Sequence, residues 1–402
     1  MAVLPPHSRP EIMIVAGEAS GDMHGAALVT ELKALRPELR FCGMGGREMA
    51  SAGVELLADA ARLAVVGLVE VLSRLPDILR ARRALTARMR ARRPELLILI
   101  DYPDFNLLLA RFAKKLGIPV LYYISPQIWA WRKQRVHSIG RLTDCVAVIL
   151  PFEAELYTRH GYQARFVGHP LLDRVHPEVP RAQFLANLHL AAERPVVGIM
   201  PGSRRREIQS LLPAFLATAA RLDAEAPEAK RPVFLLPQAS TVKRSLLDEC
   251  GLLQYQSRLD IRVLTEQRYS LMAACDAALA ASGTVTLELA LLRVPTVAAY
   301  RVAFHSYWLG KLIIRVLPFF SLPNLIAGRQ IIPELLQDAV TPKRLLASIR
   351  PLLGAGKARS EMLAGFDEIK KQLGSAGAAR RTARLALQLM GDGGLCRDEA
   401  DL

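Results

Sequence analysis

Short, wholly apolar runs alternate along this chain with longer segments in which apolar residues recur every three or four positions. The runs at 12–16, 39–42, 96–100, 120–124, 145–150 and 165–167 are bounded by turn residues and read as strands buried on both faces. Segments such as 25–35 and 106–116 have the length and period of helices. That alternation predicts an α/β fold with a mostly parallel, doubly wound sheet. It stops at Gly168-His169-Pro170, and Pro177 and Pro180 mark a linker. A second set begins at Pro195, with strands expected at 196–200, 233–236, 261–264, 277–281 and 296–300. Beyond Pro342 the pattern is helical only, and it turns polar after about Gly391. The expected organisation is a sheet domain over 1–172, a second over 173–345, helices over 346–391 and a tail over 392–402. Two such domains in tandem would set the carboxyl ends of both sheets across one cleft. Fold analogy adds that the terminal helices pack back on the first domain.

Ligands of open α/β sheets bind outside the carboxyl ends of the strands, so the loops there carry the candidate chemistry. The run 96–100 breaks off at Asp101, two residues before Pro103, which places that carboxylate at a strand end as a candidate general base. The plainer alternative is that Asp101 or Asp104 caps the helix starting near Phe105, and Asp104 is given that role. Gly17-Glu-Ala-Ser-Gly-Asp22 follows the first strand. Its glycines allow close backbone approach to a ligand, while the plainer reading has Ser20 or Asp22 as a cap. The dinucleotide fingerprint is absent.

Pro201-Gly-Ser-Arg-Arg-Arg-Glu207 stands in the equivalent place of the second domain. Three arginines near a helix amino end are unfavourable by about 0.3–1 kcal/mol each, unless an anion sits between them and the backbone N–H groups. Pro213 predicts that this helix kinks or starts late. Ser282-Gly-Thr284 opens a third loop of the kind, with Glu288 one turn inside. A carboxylate so placed suits a ribose diol; equally, Thr284 could cap and Glu288 serve as a first-turn acid.

Composition narrows the partner. The 402 residues are 51% hydrophobic and carry a net charge of +15, so an anionic ligand or surface is expected. Five scattered cysteines without a C-x-x-C pair indicate a reducing compartment. Residues 1–10 read as a loose tail and not a signal peptide, and no run is long and apolar enough to span a bilayer. The dispersed histidines and missing Asp-x-Asp pair predict no metal; His169 and His305 are more often structural in such settings. Leu68, Leu72, Leu75 and Leu79 recur at helical spacing amid Arg74, Arg80, Arg82, Arg83, Arg88, Arg90, Arg92 and Arg93. A basic amphipathic helix of this kind can lie on an anionic membrane, although packing an apolar stripe on the sheet is the simpler use. The segment 304–320, with Trp308, Lys311 and Arg315, is a second of this type.

In order, the chain also carries Val66-Gly-Leu-Val-Glu-Val-Leu72, Asp101-Tyr-Pro-Asp-Phe-Asn106, Ser125-Pro-Gln-Ile-Trp-Ala-Trp-Arg132 and Ser321-Leu-Pro-Asn-Leu-Ile-Ala-Gly-Arg329. With the three glycine loops, these motifs resemble the lipid-A-disaccharide synthases, inverting glycosyltransferases of the GT-B class. The resemblance implies two Rossmann-like domains and no cofactor. It implies transfer of 2,3-diacylglucosamine from its UDP derivative to the 6-hydroxyl of 2,3-diacylglucosamine 1-phosphate. Asp101 would then be the base, with Arg204 and Ser203 stabilising departing UDP. Gly17, Glu18, Ser20, Gly21, Ser282, Gly283, Thr284, Glu288 and Asn324 would bind substrate or nucleotide, and Leu68, Leu72 and Leu75 would meet membrane or acyl chains. It also implies work at the cytoplasmic face of a Gram-negative inner membrane, with a homodimer left open. The competing readings are another GT-B UDP-sugar enzyme such as a 2-epimerase, which would act on unacylated UDP-sugar, and a nucleic-acid binder. No nucleic-acid-binding signature accompanies the charge.

Overall fold

The computed structural model describes residues 10–60, 75–126, 134–301 and 319–391. The chain forms two compact units, one comprising Met1–Pro170 with Leu373–Leu402 and the other Leu171–Gln372.

The first unit contains β1 (Glu11–Ala16), α1 (Ala19–Leu35), β2 (Arg40–Gly45), α2 (Arg47–Ser51) and β3 (Glu55–Asp59). It continues with α3 (Leu75–Arg92), β4 (Leu96–Ile100), α4 (Pro103–Lys115), β5 (Val120–Tyr123) and α5 (Arg135–Leu142). β6 (Cys145–Val148), α6 (Pro151–Thr158) and β7 (Ala164–Phe166) complete its sheet, whose all-parallel order is β3-β2-β1-β4-β5-β6-β7. Side chains alternate across each strand, so one face gathers Ile12, Ile14, Ile98 and Ile100 with Leu28 and Leu32 of α1. The other gathers Met13, Val15, Leu97 and Leu99 with Leu85 and Met89 of α3 and Leu109 of α4. Strand order reverses between β1 and β4, which run in register from Ile12 opposite Leu96 to Ala16 opposite Ile100. The chain therefore leaves both strands side by side at Gly17 and Asp101, at a topological switch point.

The second unit contains α7 (Arg181–Asn187), β8 (Val196–Met200), α8 (Arg205–Glu225), β9 (Val233–Pro237), α9 (Arg244–Glu249) and α10 (Leu252–Gln256). β10 (Ile261–Leu264), α11 (Arg268–Ala274), β11 (Ala277–Ala281), α12 (Thr284–Leu291) and β12 (Thr296–Tyr300) follow. α13 (Leu322–Ala327), β13 (Glu334–Leu336), α14 (Pro342–Leu353) and α15 (Lys357–Gln372) end it, with parallel sheet order β10-β9-β8-β11-β12-β13. Its switch point lies between β8 and β11, so the loops opening at Pro201 and Ser282 are neighbours.

Several local expectations change. α8 begins at Arg205 and runs through Pro213 to Glu225 without a break. The ring withholds one N–H from the ladder, and burial of Leu211, Leu212, Phe215 and Leu216 around it offsets that loss. Asp104 does not cap α4: Tyr102 holds the cap position, and Asp104 pairs with Arg135. Asp22 does not cap its own helix either. Its carboxylate turns to α2 and accepts from the N–H groups of Gly46 (2.6 Å), Glu48 (3.0 Å) and Met49 (3.1 Å). The helices after Pro342 divide between the units: α14 and α15 pack in the second, and only α16 (Ala378–Gly391) packs on α1 of the first.

α3 buries Ala81, Leu85 and Met89 against the sheet and leaves Leu75 and Leu79 exposed. Arg88 is not part of an outward basic face, because its guanidinium lies 2.7 Å from both Glu11 and Glu55. Leu68, Leu72, Arg74, the 66–72 motif, His305 and most of 304–320 lie outside the described residues, as do 127–132 of the tryptophan motif. No helix among the described residues is long and apolar enough to cross a membrane.

Candidate active site

In the first unit the switch point is built by the residues on either side of Asp101. Asp101 and Tyr102 both adopt left-handed backbone, each with φ of 46°. Asp tolerates that region, whereas tyrosine rarely enters it, and each such residue costs about 1–3 kcal/mol unless its surroundings enforce it. Three contacts enforce it here. Asn106, fully buried on the first turns of α4, donates from Nδ2 to the carbonyl oxygens of Ile100 (3.2 Å) and Asp101 (2.7 Å). Tyr122 of β5 donates its hydroxyl to the same Asp101 carbonyl at 2.6 Å. The Tyr102 ring lies over Gly17, where a Cβ would overlap it, and packs on Phe105. The glycine after β1 is thus required by its neighbour across the switch point. Asn106 Oδ1 is the one buried side-chain polar atom without a partner among the described residues, a cost of about 1–3 kcal/mol.

The Asp101 carboxyl titrates above the usual carboxylate range, first because burial disfavours its charge and then because Glu18 lies near. Glu18 holds the cap position of α1; it and Ser20 are exposed, while Gly17 and Gly21 are buried against the strands. His169 is buried, and desolvation together with His24 lowers its pKa to about 4, so it is neutral at pH 7.

In the second unit a cavity of about 520 Å³ opens at the carboxyl ends of β8, β9, β10 and β11. It brings together Ser203, Arg204, Ser282, Gly283, Thr284 and Glu288, the residues singled out from two separate loops. Gly202 has φ of 101°, a turn only glycine makes without strain, and it aims the chain into α8. Arg204 occupies the cap position of α8 and is largely exposed, 3.5 Å from Glu207. An exposed pair of this kind is worth roughly 0–1 kcal/mol, so its guanidinium is free to turn to an anion. Glu288 is buried and paired with Arg268 of α11. Burial raises its pKa, and Arg268 and Arg174 oppose that rise.

Sequence reasoning missed Gln238, Thr265, Glu266 and Arg268, which also line the cavity. They follow β9 and β10 without a glycine motif; the only signal available was that each sits just past a strand's carboxyl end. Asn324 does not line it. Its Nδ2 donates to Ile332 O (2.9 Å) and Glu334 (2.8 Å), and its Oδ1 accepts from the N–H groups of Ile331 and Ile332. Glu334 in turn accepts from Ser321 N at 2.9 Å, and Phe320 O receives the Ser282 hydroxyl at 3.0 Å. Asn324 thereby secures the segment against which Ser282 is set.

This geometry belongs to a described family. A lipid-A-disaccharide synthetase model matches residues 12–386. The lipid-A-disaccharide synthase of Geobacter sulfurreducens is 47% identical over 381 residues, covering 94% of this chain and 97% of that one. The Nitrosococcus oceani enzyme of the same name is 46% identical, covering 96% and 97%. Among solved structures, the glycotransferase of kitacinnamycin superposes with a TM-score of 0.63 at 17% identity, over 95% of this chain and all (100%) of that one. A putative UDP-N-acetylglucosamine 2-epimerase from Listeria monocytogenes gives 0.62 at 12%, covering 95% and 96%. At such identities the structural likenesses speak to the fold alone, which is that of GT-B glycosyltransferases. The sequence matches decide between transferase and epimerase: the chain belongs to the lipid-A-disaccharide synthetase family.

Proposed function

We propose that the enzyme transfers 2,3-diacylglucosamine from its UDP derivative to the 6-hydroxyl of 2,3-diacylglucosamine 1-phosphate, with inversion. The Asp101 carboxylate takes the proton of the 6-hydroxyl as that oxygen bonds to the anomeric carbon. The bond from the anomeric carbon to the UDP oxygen breaks, and the electron pair leaves with UDP. Arg204, the Ser203 hydroxyl and the amino ends of α8 and α12 meet the charge that develops there. The observation that carries this reading is the cavity that joins Ser203, Arg204, Thr284 and Glu288. Incubating the two monosaccharide substrates and finding a tetraacyl disaccharide 1-phosphate by mass spectrometry tests it; release of UDP without that product overturns it.

Glu288 grips the ribose diol of the nucleotide. Glu288→Gln weakens UDP binding by roughly 10–100-fold, the worth of a charged hydrogen bond, while 2′,3′-dideoxy-UDP binds both proteins alike. Equal losses for both nucleotides in a titration would place the carboxylate elsewhere.

The acylated substrates live in an anionic bilayer, so the enzyme works at the cytoplasmic surface of the inner membrane, with α3 as a contact. Leu75 and Leu79 are 46% and 39% exposed, and Arg82, Arg83 and Arg90 are exposed on the same helix. Changing both leucines to serine leaves Tm within about a degree and lowers co-sedimentation with anionic vesicles, as does added salt. Unchanged vesicle binding would remove α3 from the contact. Whether two copies associate is decided by sedimentation of the full chain.

A further inference from the structure

The left-handed pair Asp101–Tyr102 is costly, and the groups that hold it lie in the core, beyond substrate reach. Asn106 and Tyr122 come from different elements, α4 and β5, yet both donate to the single Asp101 carbonyl, at 2.7 and 2.6 Å. Neither is needed to end β4, since Pro103 already stops the ladder. What they fix is the direction in which the Cα–Cβ bond of Asp101 leaves the sheet. A peptide pinned at its carbonyl cannot rotate to the ordinary extended or helical setting without stranding two buried donors. The amide of Asn106 has one orientation only: turned over, its oxygen would face two carbonyl oxygens. It keeps that orientation although its own Oδ1 stays unpaired.

From this we infer that Asn106 and Tyr122 are positioning residues for the transfer reaction, a two-donor clamp that sets the aim of the Asp101 carboxylate. The inference rests on the reading of Asp101 as the base. The clamp also keeps the carboxyl in its partly buried place beside Glu18, which approaches from the start of α1. Tyr122 is the titratable group facing it from β5; Arg135, which bears on Tyr122, is engaged by Asp104. Without the clamp the loop relaxes toward ordinary backbone and the carboxyl hydrates, so its pKa falls. A base with a lower pKa stays ionised further into acid, and the acid limb of the rate profile moves down in pH.

Tyr122→Phe removes one donor and keeps the ring in the core; Asn106→Ala removes the other. Expected are falls in turnover of about tenfold and a hundredfold, the usual effect of a misplaced reacting group. The acid limb shifts to lower pH in both, and UDP affinity, held by the second unit, is unchanged. In an Asp101→Asn background neither change lowers turnover further, because both act through that carboxylate. Wild-type turnover and an unmoved acid limb in folded Tyr122→Phe overturn the clamp and leave the base assignment standing. So does a fall in Asn106→Ala that merely tracks its loss of folded protein. Near-wild-type turnover of Asp101→Asn alone would instead remove the base assignment, and the clamp with it.

Discussion

Asp101→Asn lowers turnover by roughly 10²–10⁴, the usual worth of a general base, with UDP affinity unchanged. Asparagine tolerates left-handed backbone at least as well as aspartate, so the loop keeps its course. The same substitution raises stability at neutral pH. Because the folded carboxyl has a raised pKa, the native chain binds its proton more tightly than the unfolded chain does. The stability linked to that proton is present below the ordinary carboxylate range and is lost as pH rises through the raised value. At pH 7 the buried Asp101 carboxyl therefore weakens the fold, and asparagine removes the penalty. Tm measured against pH should show a gain that shrinks to nothing on acidification. Normal turnover in the folded variant, or a Tm gain that persists in acid, would sink this account.

Arg204→Ala costs roughly 2–4 kcal/mol of transition-state stabilisation, by analogy with loss of one oxyanion donor. Its weak surface pairing with Glu207 means little is lost in the resting enzyme, so the fold should be unaffected. Turnover should fall more than UDP affinity does, since the interaction strengthens as charge builds on the leaving group. Lysine keeps the charge without the two-pronged geometry and should rescue only in part. Kinetics with both substrates beside a UDP titration separate the cases. Equal losses in affinity and specificity constant, with turnover preserved, make Arg204 a ground-state anchor.

Much of the fold was legible because buried parallel strands write themselves as unbroken apolar runs. The runs 96–100, 196–200, 261–264, 277–281 and 296–300 match β4, β8, β10, β11 and β12 residue for residue. β3 and β13 escaped for a common reason: each is an edge strand paired on one side only, with every residue half-buried or exposed. Half-buried strands do not need the apolar run that served as the signal. Among the loops, residue types at strand ends were readable, but partners distant in sequence were not. Asp22 capping α2 across 24 residues and Arg88 meeting Glu11 across 77 are cases in point. Local spacing suggested a cap for the first and a membrane face for the second, and tertiary contact overrode both. Asn106 shows the same limit, since nothing in Asp-Tyr-Pro-Asp-Phe-Asn announces that its amide reaches back to the strand it follows.

The placement of α16 has a consequence for how the polypeptide is made. This helix supplies Ala383, Leu385, Ala386 and Leu389 to the face formed by β1, β4 and α1. It emerges from the ribosome only after the whole of Leu171–Gln372 has been synthesised. At roughly 5–20 residues per second, those 202 residues take roughly 10–40 s. During that interval α1, β4 and β5 lack the helix that packs on them, whereas the second unit is contiguous and can close as it is translated. The first segment made is thus the last to be finished. A ribosome-bound chain halted after Gln372 should recruit holdase chaperones to its amino-terminal half, and extension through Gly391 should release them.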